Sequence, residues 1–220
     1  MDKKIYQDLI NNNTKSYCID EKGNELKFDL ESSLVLSGSF NPLHKGHINL
    51  LEVSKNEHKL KPIYEISISN VDKSKIELKD LLMRSNQFKS LGKLVITNSA
   101  NFREKSFIFK NSIFVIGYDT ALRLIEKKYY KDDIDMAFND IEKNNCSFLV
   151  AGRFINSKYN NASSINFYEF KKFFSTLSEE KFRLDISSSQ LRSQANSEND
   201  KSAAWIVFSI SLSLWAEDIC

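Results

Sequence analysis

The stretch LVLSGSFNPLHKGHINLL, residues 34–51, decides the fold of this chain. Its first three residues are apolar, and the run is short enough for a buried strand. Small residues break the run at Ser37-Gly38-Ser39, and a helix-like apolar pattern follows Pro42. A strand, a tight turn and a helix N-terminus together form a site for an anion. Unpaired backbone N–H groups and the positive end of the helix face the same point there.

Two of the chain's three histidines, His44 and His47, lie in this turn. A spacing of three residues on an opening helical turn puts both rings on one side. Imidazoles at that place suit a polyphosphate, because they donate hydrogen bonds to its oxygens and, when protonated, offset the charge of a departing pyrophosphate. The alternative is one capping histidine and one surface histidine. The presence of Gly38, Phe40 and Gly46 in the same window favours the phosphate site.

A second polar motif, ISSSQLR at residues 186–192, lies near the other end of the chain. Its three consecutive hydroxyls precede Leu191 and Arg192. Serines at a helix start cap the helix and offer donors to a phosphate, and Arg192 about one turn later would be aimed at the same anion. The alternative is an ordinary serine cap followed by a surface arginine.

Both motifs resemble signatures of one superfamily. GSFNPLHKGH at residues 38–47 resembles the first signature of the nucleotidylyltransferases, and ISSSQLR resembles their second signature, with Ser189 in place of threonine. The segment VIGYDT at residues 115–120 resembles the Gly-x-Asp element of the same superfamily. The resemblance covers about residues 33–193 and is most similar to the nicotinamide-mononucleotide adenylyltransferases.

This resemblance implies transfer of the nucleotidyl group of ATP to a mononucleotide, nicotinamide or nicotinic acid mononucleotide, with a dinucleotide and pyrophosphate as products. It implies that the catalytic residues are His44, His47 and Arg192. It implies that the nucleotide-binding residues are Gly38, Ser39, Phe40, Gly117, Asp119, Ser187, Ser188 and Ser189. Basic residues near Lys73 and Arg84 often reach the acceptor's phosphate in this family, so one or both are candidates for acceptor binding, and Arg153 at the end of a predicted strand is a further candidate. No carboxylate cluster suggests a metal cage built by the protein, so Mg²⁺ is expected to be carried with ATP.

Several of these positions also have a plainer interpretation. Asp119 is close enough to a predicted helix start to be its N-cap. Lys73 and Arg84 fit a solvated face, and Arg153 fits a salt bridge. Two other functions stay open: a CTP-dependent cytidylyltransferase acting on a phosphorylated alcohol, and a nucleotide-binding protein without turnover.

Strand and helix patterns alternate from residue 33 to residue 152. This alternation predicts an α/β fold with a doubly wound, mostly parallel Rossmann-like sheet and helices on both faces. The predicted strands cover residues 34–36, 63–69, 93–97, 112–116 and 147–151. An N-terminal extension over residues 1–30 is expected to contain a helix at residues 3–11, and alternation at residues 25–31 indicates an edge strand.

Composition fits one sizeable domain, predicted at residues 31–195: the chain has 220 residues, of which 41% are hydrophobic. Lysine and arginine number 31 against 29 acids, which gives no reason to expect a nucleic-acid or membrane partner. The N-terminus lacks an apolar core of signal-peptide length, and the three cysteines are scattered, which favours a cytoplasmic protein.

The last segment, residues 196–220, departs from the family pattern. It contains AAWIVFSISLSLWA at residues 203–216, which is shorter than the ~20 residues of a membrane-spanning helix. Its alternation from residue 208 to 214 has the period of a strand. Three interpretations stay open: an added strand, a homo-oligomer contact, or sequence without a family counterpart.

Overall fold

The computed structural model describes residues 1–69, 71, 74–129, 133–155 and 158–182. The strands are β1 (Ser16–Ile19), β2 (Ser33–Ser37), β3 (Lys61–Ser67), β4 (Leu94–Thr97), β5 (Ile113–Gly117), β6 (Ser147–Ala151), β7 (Arg153–Ile155), β8 (Lys158–Asn160) and β9 (Phe174–Leu177). The principal sheet has the order β1-β4-β3-β2-β5-β6-β9, and β7 and β8 form a separate hairpin. Only β1 is antiparallel to its neighbour in the principal sheet.

Helices cover both faces of this sheet. They are α1 (Lys3–Ile10), α2 (Lys45–Glu57), α3 (Leu78–Asn86), α4 (Phe102–Ile108), α5 (Tyr118–Leu124) and α6 (Ile134–Lys143), with short 3-10 turns at Lys127–Tyr129, Ala162–Ser164 and Tyr168–Phe173. Alternate strand residues belong to opposite apolar clusters: Leu34 and Leu36 pack with α1, α2 and α3, whereas Val35 packs with α5 and α6. The predicted doubly wound α/β fold is confirmed.

The order of the strands locates the ligand-binding edge. From β2 the chain moves outward through β3 and β4, then returns to the other side of β2 and continues through β5 and β6. The switch point therefore lies between β2 and β5, whose parallel pairing aligns Leu36 with Val115. In open α/β sheets the ligand binds outside the carboxyl ends of the strands at such a point.

The predicted edge strand at residues 25–31 is wrong. Glu25 makes a single isolated bridge to Ile19, and no strand covers the rest of that segment. The alternating residues Leu26 and Phe28 are half-buried against the core. The alternation therefore comes from side-chain packing and not from backbone pairing with another strand. The strand at this edge of the sheet is β1, whose residues are paired with β4. The apolar tail at residues 203–216 lies outside the described residues.

Candidate active site

A cleft of about 760 Å³ opens at the carboxyl edge of the sheet, beside the switch point. The wall of the cleft contains Ser37 from the end of β2 and Gly38, Ser39 and Asn41 from the turn after it. Helices α3, α4 and α5 contribute Arg84, Lys105 and Arg123. A volume of this size is in the usual range of small-molecule sites. The cleft therefore lies where this sheet topology places a ligand, and the first signature forms part of its wall.

The turn after β2 is anchored by Phe40, whose ring is buried in the core and does not line the cleft. The ring makes edge contacts with His47 at 4.9 Å and Phe88 at 5.1 Å between centroids. Phe40 adopts a positive φ of 42°. A Cβ on Gly38 would lie 2.9 Å from this ring. Close packing against the Phe40 ring thus requires glycine at position 38, and the buried ring anchors the turn to the core.

His44 and His47 stack on each other at the start of α2, with ring centroids 3.8 Å apart. His44 is the N-cap, and its backbone N–H donates to Nδ1 of His47 at 3.3 Å. His47 therefore carries its proton on Nε2 when neutral. The His44 side chain faces the backbone N–H of His47 in a capping-box arrangement, and its Nδ1 is buried and makes no hydrogen bond of standard geometry with the described residues. Neither ring is among the groups that line the cleft.

Both imidazoles are neutral near neutral pH. Burial lowers the pKa of His44, and burial together with the neighbouring His44 lowers the pKa of His47 to about 3. A neutral imidazole can donate one hydrogen bond to an anion and carries no compensating charge. The arrangement therefore favours hydrogen bonding over charge neutralisation as the means by which this pair acts on a phosphate.

Helix α3 is joined to the turn by two side chains. The Arg84 guanidinium donates to the Ser39 carbonyl oxygen at 3.1 Å. Gln87 hydrogen-bonds the backbone of both Phe40 and Leu43. Arg84 thus lies in the cleft wall and also holds the turn. Gln87 was missed from the sequence, because a single amide at a helix end has no motif around it.

A buried ion pair lies under the cleft. Lys105 Nζ is 2.7 Å from Glu65 Oε2, and the two side chains are 9% and 0% exposed. Ser37 donates to the same carboxylate at 2.6 Å, and Thr97 donates to its other oxygen at 2.7 Å. Lys105 also donates to the Ser37 hydroxyl at 3.1 Å. This network ties the end of β2 to β3, β4 and α4. The sequence signal for it was Glu65 itself, an acid inside a buried strand that needs a partner.

On the other side of the switch point, Asp119 and Arg153 form an exposed ion pair. Gly117 is the N-cap of α5, so Asp119 lies in the first helical turn and is not the cap. Neither charged residue lines the cleft, although Thr120 of the same helix does. A Cβ on Gly117 would meet no described atom within 4 Å. The structure thus brings together two residues predicted to bind different substrates.

The remaining predicted residues lie outside the described ranges. They are Lys73, Ser187, Ser188, Ser189 and Arg192. Within the described ranges, no group of three or more His, Cys, Asp or Glu could hold a metal ion. In the same ranges no helix is both long and apolar enough to cross a membrane.

Comparison with known proteins gives the class of the protein. Residues 35–194 match the model of the cytidylyltransferase-like family. The match covers more than half of the chain and contains both sequence motifs, so the chain belongs to this family. Membership in it indicates nucleotidyl transfer. A search of curated proteins found no match.

Proposed function

We propose that the protein transfers the adenylyl group of ATP to nicotinamide or nicotinic acid mononucleotide. A phosphate oxygen of the mononucleotide attacks the α-phosphorus of ATP in line. The bond from that phosphorus to the bridging oxygen of the β-phosphate breaks, and the electron pair leaves with pyrophosphate. The product is a dinucleotide joined through a new P–O–P bridge. The step needs positioning and charge stabilisation and no protein nucleophile.

The observation that carries this proposal is the way the first signature folds. It forms the tight turn that follows β2 in the cleft wall and continues into the N-terminus of α2, at the switch point of a parallel sheet. A helix N-terminus presents free N–H groups and a partial positive charge to a phosphate. The residues at this point, Phe40-Asn41-Pro42 followed by His44, are those that most resemble the nicotinamide-mononucleotide adenylyltransferases.

The roles of the residues follow from their chemistry. The turn at Gly38 and Ser39 would receive the triphosphate, and His44 and His47 would donate hydrogen bonds to its α- and β-phosphates. The position of both rings at the N-terminus of α2, where free backbone N–H groups favour an anion, supports this role. Asp119 would accept the hydroxyls of the adenosine ribose.

Most of the other roles rest on the resemblance, and that of Arg84 is also supported by its place in the cleft wall. Arg192, with the hydroxyls of Ser187, Ser188 and Ser189, would hold the β- and γ-phosphates. Lys73, Arg84 and Arg153 would contact the acceptor. Mg²⁺ would enter as part of the Mg²⁺–ATP substrate, bound mainly by phosphate oxygens and water.

Two other functions each have an observation in their favour. The family match is to a cytidylyltransferase-like domain, which supports CTP as the nucleotide and a phosphorylated alcohol as the acceptor. The two neutral histidines lie outside the lining of the cleft, which supports binding without turnover.

One set of assays separates the three functions. Purified full-length protein is given Mg²⁺–ATP or Mg²⁺–CTP, each with nicotinamide mononucleotide, nicotinic acid mononucleotide, phosphorylated alcohols or no acceptor, and pyrophosphate is measured. The proposal predicts release with ATP that requires a mononucleotide. Release with CTP and a phosphorylated alcohol alone would replace the proposal with the cytidylyltransferase. Nucleotide-dependent thermal stabilisation without pyrophosphate release would replace it with a binding protein.

A further inference from the structure

The Gln87 side chain spans the loop between the turn and α2. Gln87 is the C-cap residue of α3. Its Oε1 accepts a hydrogen bond from the backbone N–H of Leu43 at 2.8 Å, and its Nε2 donates to the carbonyl oxygen of Phe40 at 2.9 Å. Nε2 also donates to the Arg84 carbonyl at 3.2 Å. The amide of Gln87 thus makes hydrogen bonds to both ends of the loop at residues 40–43 and to its own helix, α3.

These hydrogen bonds fix the backbone between the turn that lines the cleft and the histidines at the start of α2, which are the groups that the proposed reaction requires in a fixed arrangement. Phe40 follows the turn that lines the cleft, and Leu43 directly precedes His44, the N-cap of α2. The loop is irregular, so its N–H and C=O groups cannot be satisfied by a strand or helix ladder. Gln87 supplies partners to both groups and thereby sets the distance between the turn and the histidines.

Only a primary amide of this length matches the loop. The side chain faces one backbone donor, Leu43 N–H, and two backbone acceptors, the carbonyls of Phe40 and Arg84. A carboxylate of the same shape could accept from Leu43 but could donate to neither carbonyl, and its charge would face both oxygens. A methionine of similar length could make none of the three bonds.

We propose that Gln87 is a positioning residue for nucleotidyl transfer. It holds residues 40–43 so that the turn at Gly38 and Ser39 and the pair His44 and His47 meet the same triphosphate. This inference rests on the proposed function for its catalytic part, while its structural part concerns the histidine arrangement and can be measured without turnover.

Two variants of Gln87 and one control test it in the full-length protein. Gln87→Glu keeps the shape of the side chain and replaces its donating amide nitrogen with an accepting oxygen. Gln87→Met removes all three hydrogen bonds and adds no charge. Asn86→Asp is the matched control, since it adds the same charge at the neighbouring exposed position of α3. If Gln87→Glu fails to fold, Gln87→Met still carries the test.

The first readout is the ring ¹⁵N–¹H spectrum of the histidines. His47 Nδ1 accepts from the His44 backbone, so its tautomer and shifts report the geometry of the loop. His58, at the far end of the 13-residue α2 and about 20 Å away, is an internal reference. We expect the His44 and His47 signals to move in both Gln87 variants and to stay unchanged in Asn86→Asp, with His58 unchanged throughout.

The second readout is pyrophosphate release at saturating substrates. Misplaced hydrogen-bond donors act on the transition state, so kcat should fall about tenfold or more in both Gln87 variants, with a smaller change in KM. Asn86→Asp should stay within about twofold of the wild type. Unchanged His44 and His47 signals in both Gln87 variants, or unchanged kcat in an active enzyme, would overturn the inference. An inactive wild type would refute the proposed function, and the spectra would still decide whether Gln87 sets the histidine geometry.

Discussion

The turn after β2 and the start of α5 flank the same switch point but are held by different interactions. The turn is fixed by the buried Phe40 ring, by hydrogen bonds from Arg84 and Gln87, and by the Lys105 network beneath it. At the start of α5, Asp119 is held by an exposed ion pair with Arg153. Exposed pairs of this kind contribute about 0–1 kcal/mol.

This difference separates two kinds of residue in one site. On the β2 side, the turn proposed to meet the reacting phosphates is held in place by groups packed into the core, so a substitution of those groups should change stability and activity together. On the α5 side, the charged groups are exposed and easily exchanged for a ligand, so a substitution should change substrate binding and leave the fold intact. The predictions below test this contrast in order of decreasing expected effect.

The largest effect is expected from Lys105→Met, which leaves the fully buried Glu65 carboxylate without its ion-pair partner. Breaking one member of a buried pair costs about 3–5 kcal/mol. Urea denaturation should show this loss, and the double variant with Glu65→Met should recover much of it. Lys110→Met is the control, because Lys110 is exposed. Equal stability of Lys105→Met and Lys110→Met would contradict the account of this network.

Two glycine substitutions compare the turn after β2 directly with the start of α5. In Gly38→Ala the new Cβ would lie 2.9 Å from the buried Phe40 ring, so the ring must move, at a cost of about 1–3 kcal/mol. In Gly117→Ala the Cβ enters open space, and the exchange of glycine for alanine at the N-cap of α5 should change the free energy of unfolding by less than about 1 kcal/mol. Thermal denaturation of both variants checks this. A Gly117→Ala variant as unstable as Gly38→Ala would remove the proposed contrast.

Acid should destabilise the protein through His47. Burial lowers its pKa to about 3 in the folded state from 6.5, so below pH 6.5 the unfolded chain binds a proton that the folded chain does not. Stability therefore falls as pH falls. Between about pH 7.5 and 5.5 the wild type should lose about 1 kcal/mol more than His47→Gln. An equal loss of unfolding free energy between these two pH values in the wild type and in His47→Gln would contradict the burial of this ring.

The smallest effect on stability is expected from breaking the exposed pair. Asp119→Asn and Arg153→Met should each change the free energy of unfolding by less than about 1 kcal/mol. Their kinetic effects should differ, because Asp119 is proposed to bind the ribose of ATP and Arg153 the acceptor. We expect KM for ATP to rise about tenfold in the first and KM for the mononucleotide to rise about tenfold in the second, with kcat little changed. Identical effects on both KM values would show that the residues act only as a pair.

Much of the fold could be predicted from sequence because its strands are buried. The apolar runs at β2, β5 and β6 are short and bounded by turn residues, so periodicity locates them well. The strands β1 and β9 were missed: each has four residues and lies at an edge of the sheet, where pairing depends on partners distant in sequence. Local pattern carries no information about that pairing.

The site could be predicted in part for a similar reason. A contiguous motif located the turn and both histidines, but their lowered pKa values come from burial, which the motif does not encode. Phe40 was expected in the nucleotide site, and its ring instead belongs to the core under it. Lys105 and Gln87 reach the turn from helices far along the chain, so only the folded structure brings them to it.

The most direct test of the central claim compares pyrophosphate release by the wild type and His44→Asn. Asparagine is a good N-cap, so this variant keeps the start of α2 and removes only the imidazole. With Mg²⁺–ATP and either mononucleotide, we predict acceptor-dependent release by the wild type and a fall of about tenfold or more in the variant. Equal rates in the two proteins, or no acceptor-dependent release by the wild type, would contradict the claim that this turn performs nucleotidyl transfer.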